Sequence, residues 1–230
     1  MKEVKLRFKF IKRSEYKYLS HLDITRIIIR AVRRAGVKIK YSEGFNPKPK
    51  INFSNPTPLG IESMAEYADL IILQELDAIN FIDMMNMQLP KGLKLVKSKV
   101  IASKTASLMS DISVCLYSFR LKTITPGEGF KDDFNGGIRE KVKSHPDILN
   151  SILKLEFEKD YNVKDVVFLK LFGYAKTFKE RNNRIFKFNN FFEFFQDLIK
   201  VYNIRVDYIL KEEMFIFKHN NLKTPMEVVS

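Results

Sequence analysis

The order of strand-like and helix-like patterns along residues 1–105 restricts the fold more than any other feature of this sequence. Residues 4–11 alternate apolar and charged side chains, as a half-buried strand does. A helical pattern follows and stops at Gly36, and two extended segments, a strand, a second helix capped by Asp77 and a last strand come after it. This order of strand, helix, strand, strand, helix, strand is that of the ferredoxin-like fold.

The second half of the chain repeats this order less clearly. The patterns predict strands at residues 112–123, 166–172, 184–188, 204–210 and 214–218, a loop at 125–137, a helix at 138–153 interrupted at Pro146, and a Phe-rich helix at 190–202. The predicted fold class is therefore α+β, with two tandem ferredoxin-like (βαββαβ) modules at residues 1–105 and 106–230. One continuous α+β domain is the alternative.

The sequence offers little to an enzyme that needs a metal or a cofactor. Its single cysteine, Cys115, excludes an internal disulfide, a four-thiolate zinc site and a protein-held iron–sulfur cluster. The three histidines, His21, His145 and His219, lack metal-ligand spacing, and no phosphate-binding loop, dinucleotide fingerprint or nucleophile elbow is present. We expect no cofactor and no metal, and we favour a role that is not enzymatic.

The first ten residues alternate charged and apolar side chains and do not form the apolar core of a signal peptide. No uninterrupted apolar run approaches the roughly 18 residues of a membrane span. We expect a cytoplasmic protein with no membrane partner.

The positive charge of the chain is concentrated in its first quarter. The formal net charge is +13, and residues 1–60 hold 15 lysines and arginines against 4 acidic residues, a net of +11. A concentrated charge of this kind attracts phosphates. A merely solvated charged face is the alternative interpretation.

The predicted first helix separates this charge from its apolar side. Ser20 is the expected N-cap, and the isoleucines, valine and alanines of residues 24–35 fall on one broad face. The opposite face carries Arg26, Arg30, Arg33 and Arg34. Four neighbouring guanidiniums repel one another unless an anion lies across them. That anion is either an external ligand, which we favour, or a carboxylate network within the fold.

The loop after this helix combines aromatic and basic side chains. Tyr41 and Phe45 are placed to stack on unpaired bases, and Lys48 and Lys50 to contact phosphates. The alternative is a rigid loop in which Phe45 fills the core.

His21, in the first turn of the basic helix, is the one candidate catalytic residue. A neutral imidazole beside the arginines could act as the general base on a ribose hydroxyl. It could equally hydrogen-bond a neighbouring strand or loop, which is the interpretation we favour.

A long run of residues resembles a known family, the radical-SAM-linked bacterial domain of unknown function. The resemblance is carried by Tyr18-Leu19-Ser20-His21-Leu22-Asp23, Arg26, Arg33-Arg34-Ala35-Gly36, Tyr41 to Lys50, Pro58-Leu59-Gly60, Ser63 and Glu66-Tyr67-Ala68-Asp69. It covers roughly residues 1–122 and is looser afterwards. In that family the domain is fused to, or encoded beside, a radical SAM protein, so the resemblance implies such a partner. This chain lacks the three-cysteine motif of the partner and would be the accessory part.

Two residues depart from the common pattern of this family. Glu43 stands where glutamine is frequent, and Lys48 where histidine is frequent. If that histidine bound a metal or acted in catalysis in relatives, Lys48 removes the role here.

The function we expect is an RNA-binding accessory module that works with a radical SAM enzyme in RNA modification. Two alternatives stay open. One is a metal-independent endoribonuclease that uses His21, and the other is a protein–protein adaptor for the radical SAM partner.

Overall fold

The computed structural model describes residues 2–124, 130–160, 163, 165–178, 183–218 and 221–228. In this part the chain is a mixed α/β structure with six α-helices and mostly antiparallel β-sheet. The chain divides into two compact units. The first unit is Met1–Ile112 together with Met214–Ser230, and the second is Ser113–Glu213.

The first unit contains β1 (Val4–Lys12), a short 3-10 helix (Ser14–Tyr18), α1 (His21–Arg34), β2 (Ile51–Phe53), β3 (Glu62–Ile72), α2 (Ala78–Asn86), β4 (Leu93–Ile101) and α3 (Leu108–Asp111). The second unit contains β5 (Val114–Thr123), α4 (Phe130–Lys143), α5 (Pro146–Leu149), β6 (Ile152–Lys159), β7 (Val166–Tyr174) and α6 (Phe188–Val201). Strand β8 (Ile204–Lys218) begins in the second unit and ends in the first, where β9 (Asn221–Lys223) follows it.

In the first unit β1 lies between β4 and β3, and β2 pairs with β3 along its other edge. All three pairings are antiparallel. Leu6, Phe8 and Phe10 of β1 are buried in a core to which α1 and α2 contribute. The rings of Phe8 and Phe81 of α2, for example, lie 5.6 Å apart. The apolar side of β1 therefore faces the core, as its alternating sequence predicted.

The charged side of β1 is more enclosed than a half-buried strand predicts. Arg7 is 0% exposed and lies opposite Asp69 in the β1–β3 register. Its Nε and Nη2 donate to Oδ1 and Oδ2 of Asp69 at 2.7 and 2.9 Å, and its Nη1 donates to the carbonyl of Pro225 at 3.2 Å. The C-terminal segment of the first unit thus contacts the sheet face that the pattern assigned to solvent.

In the second unit the strands lie in the order β8, β5, β7, β6. The Phe-rich helix α6 packs its aromatic side chains into the core of this unit. Phe191 and Phe195 are fully buried, with their rings 5.7 and 5.6 Å from that of Phe119 on β5. This helix is therefore part of the core of the second unit.

Several predicted elements of the second half are wrong. Helix α4 starts at Phe130, inside the predicted loop at 125–137, of which residues 125–129 lie outside the described part. The predicted helix at 138–153 corresponds to the end of α4 and to α5, with the break at Pro146 that the sequence indicated, but its last two residues belong to β6, a strand that the sequence did not predict. The strand predicted at 184–188 is not a regular strand, although the N–H of Phe186 donates to the carbonyl of Tyr174 at 2.7 Å, and Phe188 already begins α6. The strands predicted at 204–210 and 214–218 are one strand, β8.

In the first half, one predicted strand is not a regular strand. The strand expected after Gly36 makes only two isolated bridges, from Ile39 to Ile72 and from Tyr41 to Pro49.

Among the described residues, no helix combines the length and the apolar composition that crossing a membrane requires.

Candidate nucleic-acid interface

Helix α1 is fixed at both ends by the residues that the sequence indicated. The Oγ of Ser20 accepts the backbone N–H of Asp23 at 3.1 Å and donates to Oδ2 of Asp23 at 2.6 Å. The Ser20 hydroxyl, followed by Arg26, holds the pKa of Asp23 below its ordinary value. Gly36, with φ at +72°, ends the helix in the left-handed region.

The arginine face of α1, formed by Arg26, Arg30, Arg33 and Arg34, is exposed. Arg26 lies 3.3 Å from Oδ1 of Asp23, the one carboxylate that the sequence could offer it. Arg34 donates to the carbonyl of Gln88 at 2.7 Å, and Arg33 donates to the hydroxyl of Tyr41 at 3.0 Å. Within the described part of the chain, Arg30 makes no side-chain hydrogen bond or ion pair. The arginine face is therefore held in place mainly by neutral acceptors, and most of its charge is left uncompensated.

The 42–48 loop is closed across its base by two hydrogen bonds. The N–H of Ser42 donates to the carbonyl of Lys48 at 2.8 Å, and the N–H of Lys48 donates to Oγ of Ser42 at 2.9 Å. Gly44 has φ at +113°, a conformation that favours glycine. Phe45 next to it is fully exposed, with a relative accessibility of 112%. Its ring is available for stacking and takes no part in the core.

Tyr41 joins the loop to the arginine face. Its ring is half-buried, and the guanidinium of Arg33 lies 5.7 Å from the ring centroid. This contact and the hydrogen bond from Arg33 occupy one face of the Tyr41 ring and its hydroxyl, so these groups hold the side chain in position. Lys48 and Lys50 are exposed, and neither forms a side-chain hydrogen bond or an ion pair with the residues that the structure describes.

His21 does not lie with the arginines. It is nine residues before Arg30, and at about 100° per residue this places the two side chains half a turn apart on α1. The imidazole is exposed and packs edge-on against the ring of Phe53, with centroids 5.4 Å apart. The imidazole and the arginine face therefore lie on different sides of α1.

The other candidate ligands are also dispersed. Nδ1 of His145 donates to the carbonyl of Lys141 at 2.9 Å, and the imidazole ring packs against Phe194. His219 lies outside the described residues. No three His, Cys, Asp or Glu side chains of the described part converge as metal ligands would.

The sequence named Tyr18 only as part of the family motif and did not predict its exposure. Tyr18, just before α1, is 65% exposed, and the ammonium of Lys17 lies 5.2 Å from its ring centroid. Residue type and spacing alone do not tell such a ring from a buried one.

The comparison with family models places the chain in a family. Residues 5–168 match the model of DUF2344, described as an uncharacterized protein conserved in bacteria. The protein belongs to this family.

The comparisons with curated proteins and with solved structures support no inference about this protein. No curated protein matches the chain. An unknown protein from Galdieria sulphuraria is 12% identical with a TM-score of 0.27, over 90% of this chain and 97% of that one. A proposed monooxygenase from Lactobacillus acidophilus NCFM is 9% identical with a TM-score of 0.28, over 97% of both chains. Likenesses with TM-scores this low support no inference about fold or activity.

Proposed function

We propose that the first unit binds RNA through the arginine face of α1 and the 42–48 loop, as an accessory module of a radical SAM enzyme that modifies RNA. The observation that carries this proposal is that Arg30 and Lys48 are exposed and form no ion pair with the described side chains. Lys50 forms none either, although it helps Lys40 to lower the pKa of Glu3. Exposed cations without internal carboxylates keep their attraction for phosphate. Among the described side chains, the ion pairs of the arginine face are limited to the one between Asp23 and Arg26.

The side chains take different roles in this proposal. The arginine face, with Lys48 and Lys50, contacts phosphates. Phe45 stacks on an unpaired base, because a fully exposed ring on a closed loop has no other partner in the described part. Tyr41 holds the loop against α1 through Arg33.

The radical SAM partner rests on the resemblance carried by the motifs of residues 18–69. With one cysteine the chain cannot hold the three-cysteine cluster of such an enzyme. The partner would therefore hold the cluster, and this chain would be the accessory part.

We further propose that each unit is a ferredoxin-like module. In the first unit the sheet reads β4, β1, β3, β2, and in the second it reads β8, β5, β7, β6. Both orders place the last strand, the first, the third and the second of a βαββαβ unit side by side. This repetition supports the tandem arrangement.

A salt titration of RNA binding tests the proposed function. We expect a fluorescently labelled single-stranded RNA to bind the full chain, with log K falling linearly as log salt rises. Replacing Arg30, Lys48 and Lys50 by alanine should reduce the slope by about 0.7 for each lost phosphate contact. The triple variant should stay folded, since all three side chains are exposed.

Lys200→Ala, an exposed residue of α6 in the second unit, is the matched control and should leave the slope unchanged. No binding at about 50 mM salt, or a slope near zero, would refute the RNA proposal. If a radical SAM protein then co-purified after nuclease treatment, the adaptor function would replace it.

A further inference from the structure

The second unit contains a groove that the proposed function does not use. Its volume is about 810 Å³, and it is bordered by α4, α5 and β6. Apolar side chains line much of it, among them Val142 of α4, Leu149 of α5 and Leu155 and Phe157 of β6. Leu149 is 43% exposed although it lies in this wall.

One wall of the groove is the edge of a sheet. Strand β6 is the terminal strand of the order β8, β5, β7, β6, and its described pairing is with β7 alone. Such an edge offers a row of backbone N–H and C=O groups to another extended chain. The guanidinium of Arg139 reaches the carbonyl of Leu155 at 3.5 Å, a long contact that a backbone N–H would replace easily.

The two faces of β6 differ in charge. Phe157 faces α4, where its ring lies 6.2 Å from Phe134 and 5.3 Å from the guanidinium of Arg139. Lys154, Glu156 and Glu158 alternate with this apolar set on the other face of the strand. There Lys154 pairs with Glu156, and Glu158 accepts from Lys170 at 2.7 Å.

Lys154, Glu156 and Glu158 of β6 also border the groove, but Lys154 pairs with Glu156 and Lys170 with Glu158, whereas the charged lining residues of α4 are both positive. Arg139 and Lys143 of α4 are exposed, and neither pairs with a carboxylate among the described side chains. They are four residues apart, so their Cβ atoms lie about 5–6 Å apart along the helix. Alternate side chains of an extended peptide are about 6.6 Å apart, two rises of 3.3 Å. Two carboxylates at alternate positions of a peptide thus match the two cations.

We propose that this groove binds an acidic, extended peptide segment of a partner protein, which adds to β6 as a further strand. The peptide backbone pairs with the open edge of β6, and two acidic side chains at positions i and i+2 meet Arg139 and Lys143. Its neighbouring apolar side chains cover Leu149 and Leu155. A nucleic acid fits this wall less well, since its backbone lacks the alternating donors and acceptors that a strand edge pairs with.

Selection from a display library of random nine-residue peptides on the full chain tests this proposal. We expect enrichment of sequences with two acidic residues separated by one β-branched or aromatic residue. Charge reversal of the two cations, R139E together with K143E, should reduce binding of the selected peptides at least about tenfold, as expected for losing two charge-assisted contacts. The same variant should now enrich peptides with two basic residues at that spacing.

The new preference for basic peptides distinguishes the proposal from misfolding, because a misfolded variant would lose binding without acquiring a new preference. Lys200→Glu, which makes half of that charge change at an exposed position of α6, should keep the original preference. The proposal is overturned if no peptides are enriched, or if enrichment lacks the acidic spacing. It is also overturned if acidic peptides bind the R139E and K143E variant undiminished, or if oligouridine RNA proves to be the ligand that this variant loses.

Discussion

Arg7 is an enclosed charge in the middle of the first unit. A buried guanidinium is tolerated only when its donors are satisfied and its charge is balanced. Both oxygens of Asp69 and the carbonyl of Pro225 meet these needs. Lys5 adds a second cation 3.7 Å from Oδ2 of Asp69. Asp69 therefore balances two cations, and its loss leaves both without their carboxylate.

Asp69→Ala should destabilise the first unit by about 3–5 kcal/mol, because it leaves the buried guanidinium of Arg7 uncompensated. Urea unfolding of the full chain, followed by circular dichroism, measures the change. Glu75→Ala is the matched control, since Glu75 forms an exposed ion pair with Lys2 at 2.7 Å and its loss should change stability little. Equal effects of the two substitutions would contradict a structural role for the buried pair.

At the scale of elements, the sequence pattern correctly predicted those helices and strands whose positions local interactions determine. Helix α1 and strand β4 were predicted closely, because an N-cap, a glycine stop and a clear period fix them. Strand β6 has a period of two, yet its first residues also continue the helical pattern before it, and its ladder with β7 decides in favour of the strand. Local sequence does not contain that partner.

The candidate site divides in the same way. Helical geometry alone placed the four arginines on one face of α1. The contact between Arg33 and Tyr41, the full exposure of Phe45 and the place of His21 against Phe53 depend on residues distant in sequence. No periodicity encodes such distances, so the sequence could name these residues but not say which of them meet.

Ser20→Ala should remove the cap of α1 and cost about 1 kcal/mol of stability. It should also raise the pKa of Asp23 toward its ordinary value, since the Ser20 hydroxyl is the main cause of the lowered pKa. The contribution of Asp23 to stability is present above its unfolded pKa and lost as pH falls through the folded pKa. The stability difference between the two proteins should therefore narrow as the solution is acidified.

A carboxyl-detected NMR titration of Asp23 and urea unfolding at several pH values measure both effects. Ser20→Thr retains a hydroxyl cap and should behave almost as the unchanged protein does. A titration of Asp23 that Ser20→Ala leaves unmoved would show that the hydrogen bond between the two side chains does not form in solution.

At the scale of the whole molecule, the first unit is built from both ends of the chain. Its C-terminal part supplies Pro225 to Arg7, and the buried Val228. The segment is held locally by Thr224, whose N–H and hydroxyl donate to Oε2 of Glu227 at 2.6 and 2.9 Å. These bonds lower the pKa of Glu227 and keep it charged. The first unit is therefore complete only when residues 221–228 are in place.

Removal of residues 221–230 should destabilise the first unit by about 3 kcal/mol or more. A hydrogen bond to a charged group contributes about 1.5–3 kcal/mol, and the burial of Val228 about 1.5 kcal/mol. Hydrogen exchange locates the loss. Amides of β1 and β3 should exchange faster, whereas those of β5 and β7 in the second unit should keep their protection.

Two single substitutions separate the contributions of this segment. Pro225→Ala retains the backbone carbonyl that Arg7 uses but removes part of a buried ring, so protection of β1 should fall less than on removal of the whole segment. Val228→Ala removes buried apolar surface alone and should cost about 1–2 kcal/mol. Loss of protection to the same degree in β5 and β7 would contradict the assignment of the segment to the first unit, because only the strands that it contacts should open when it is absent.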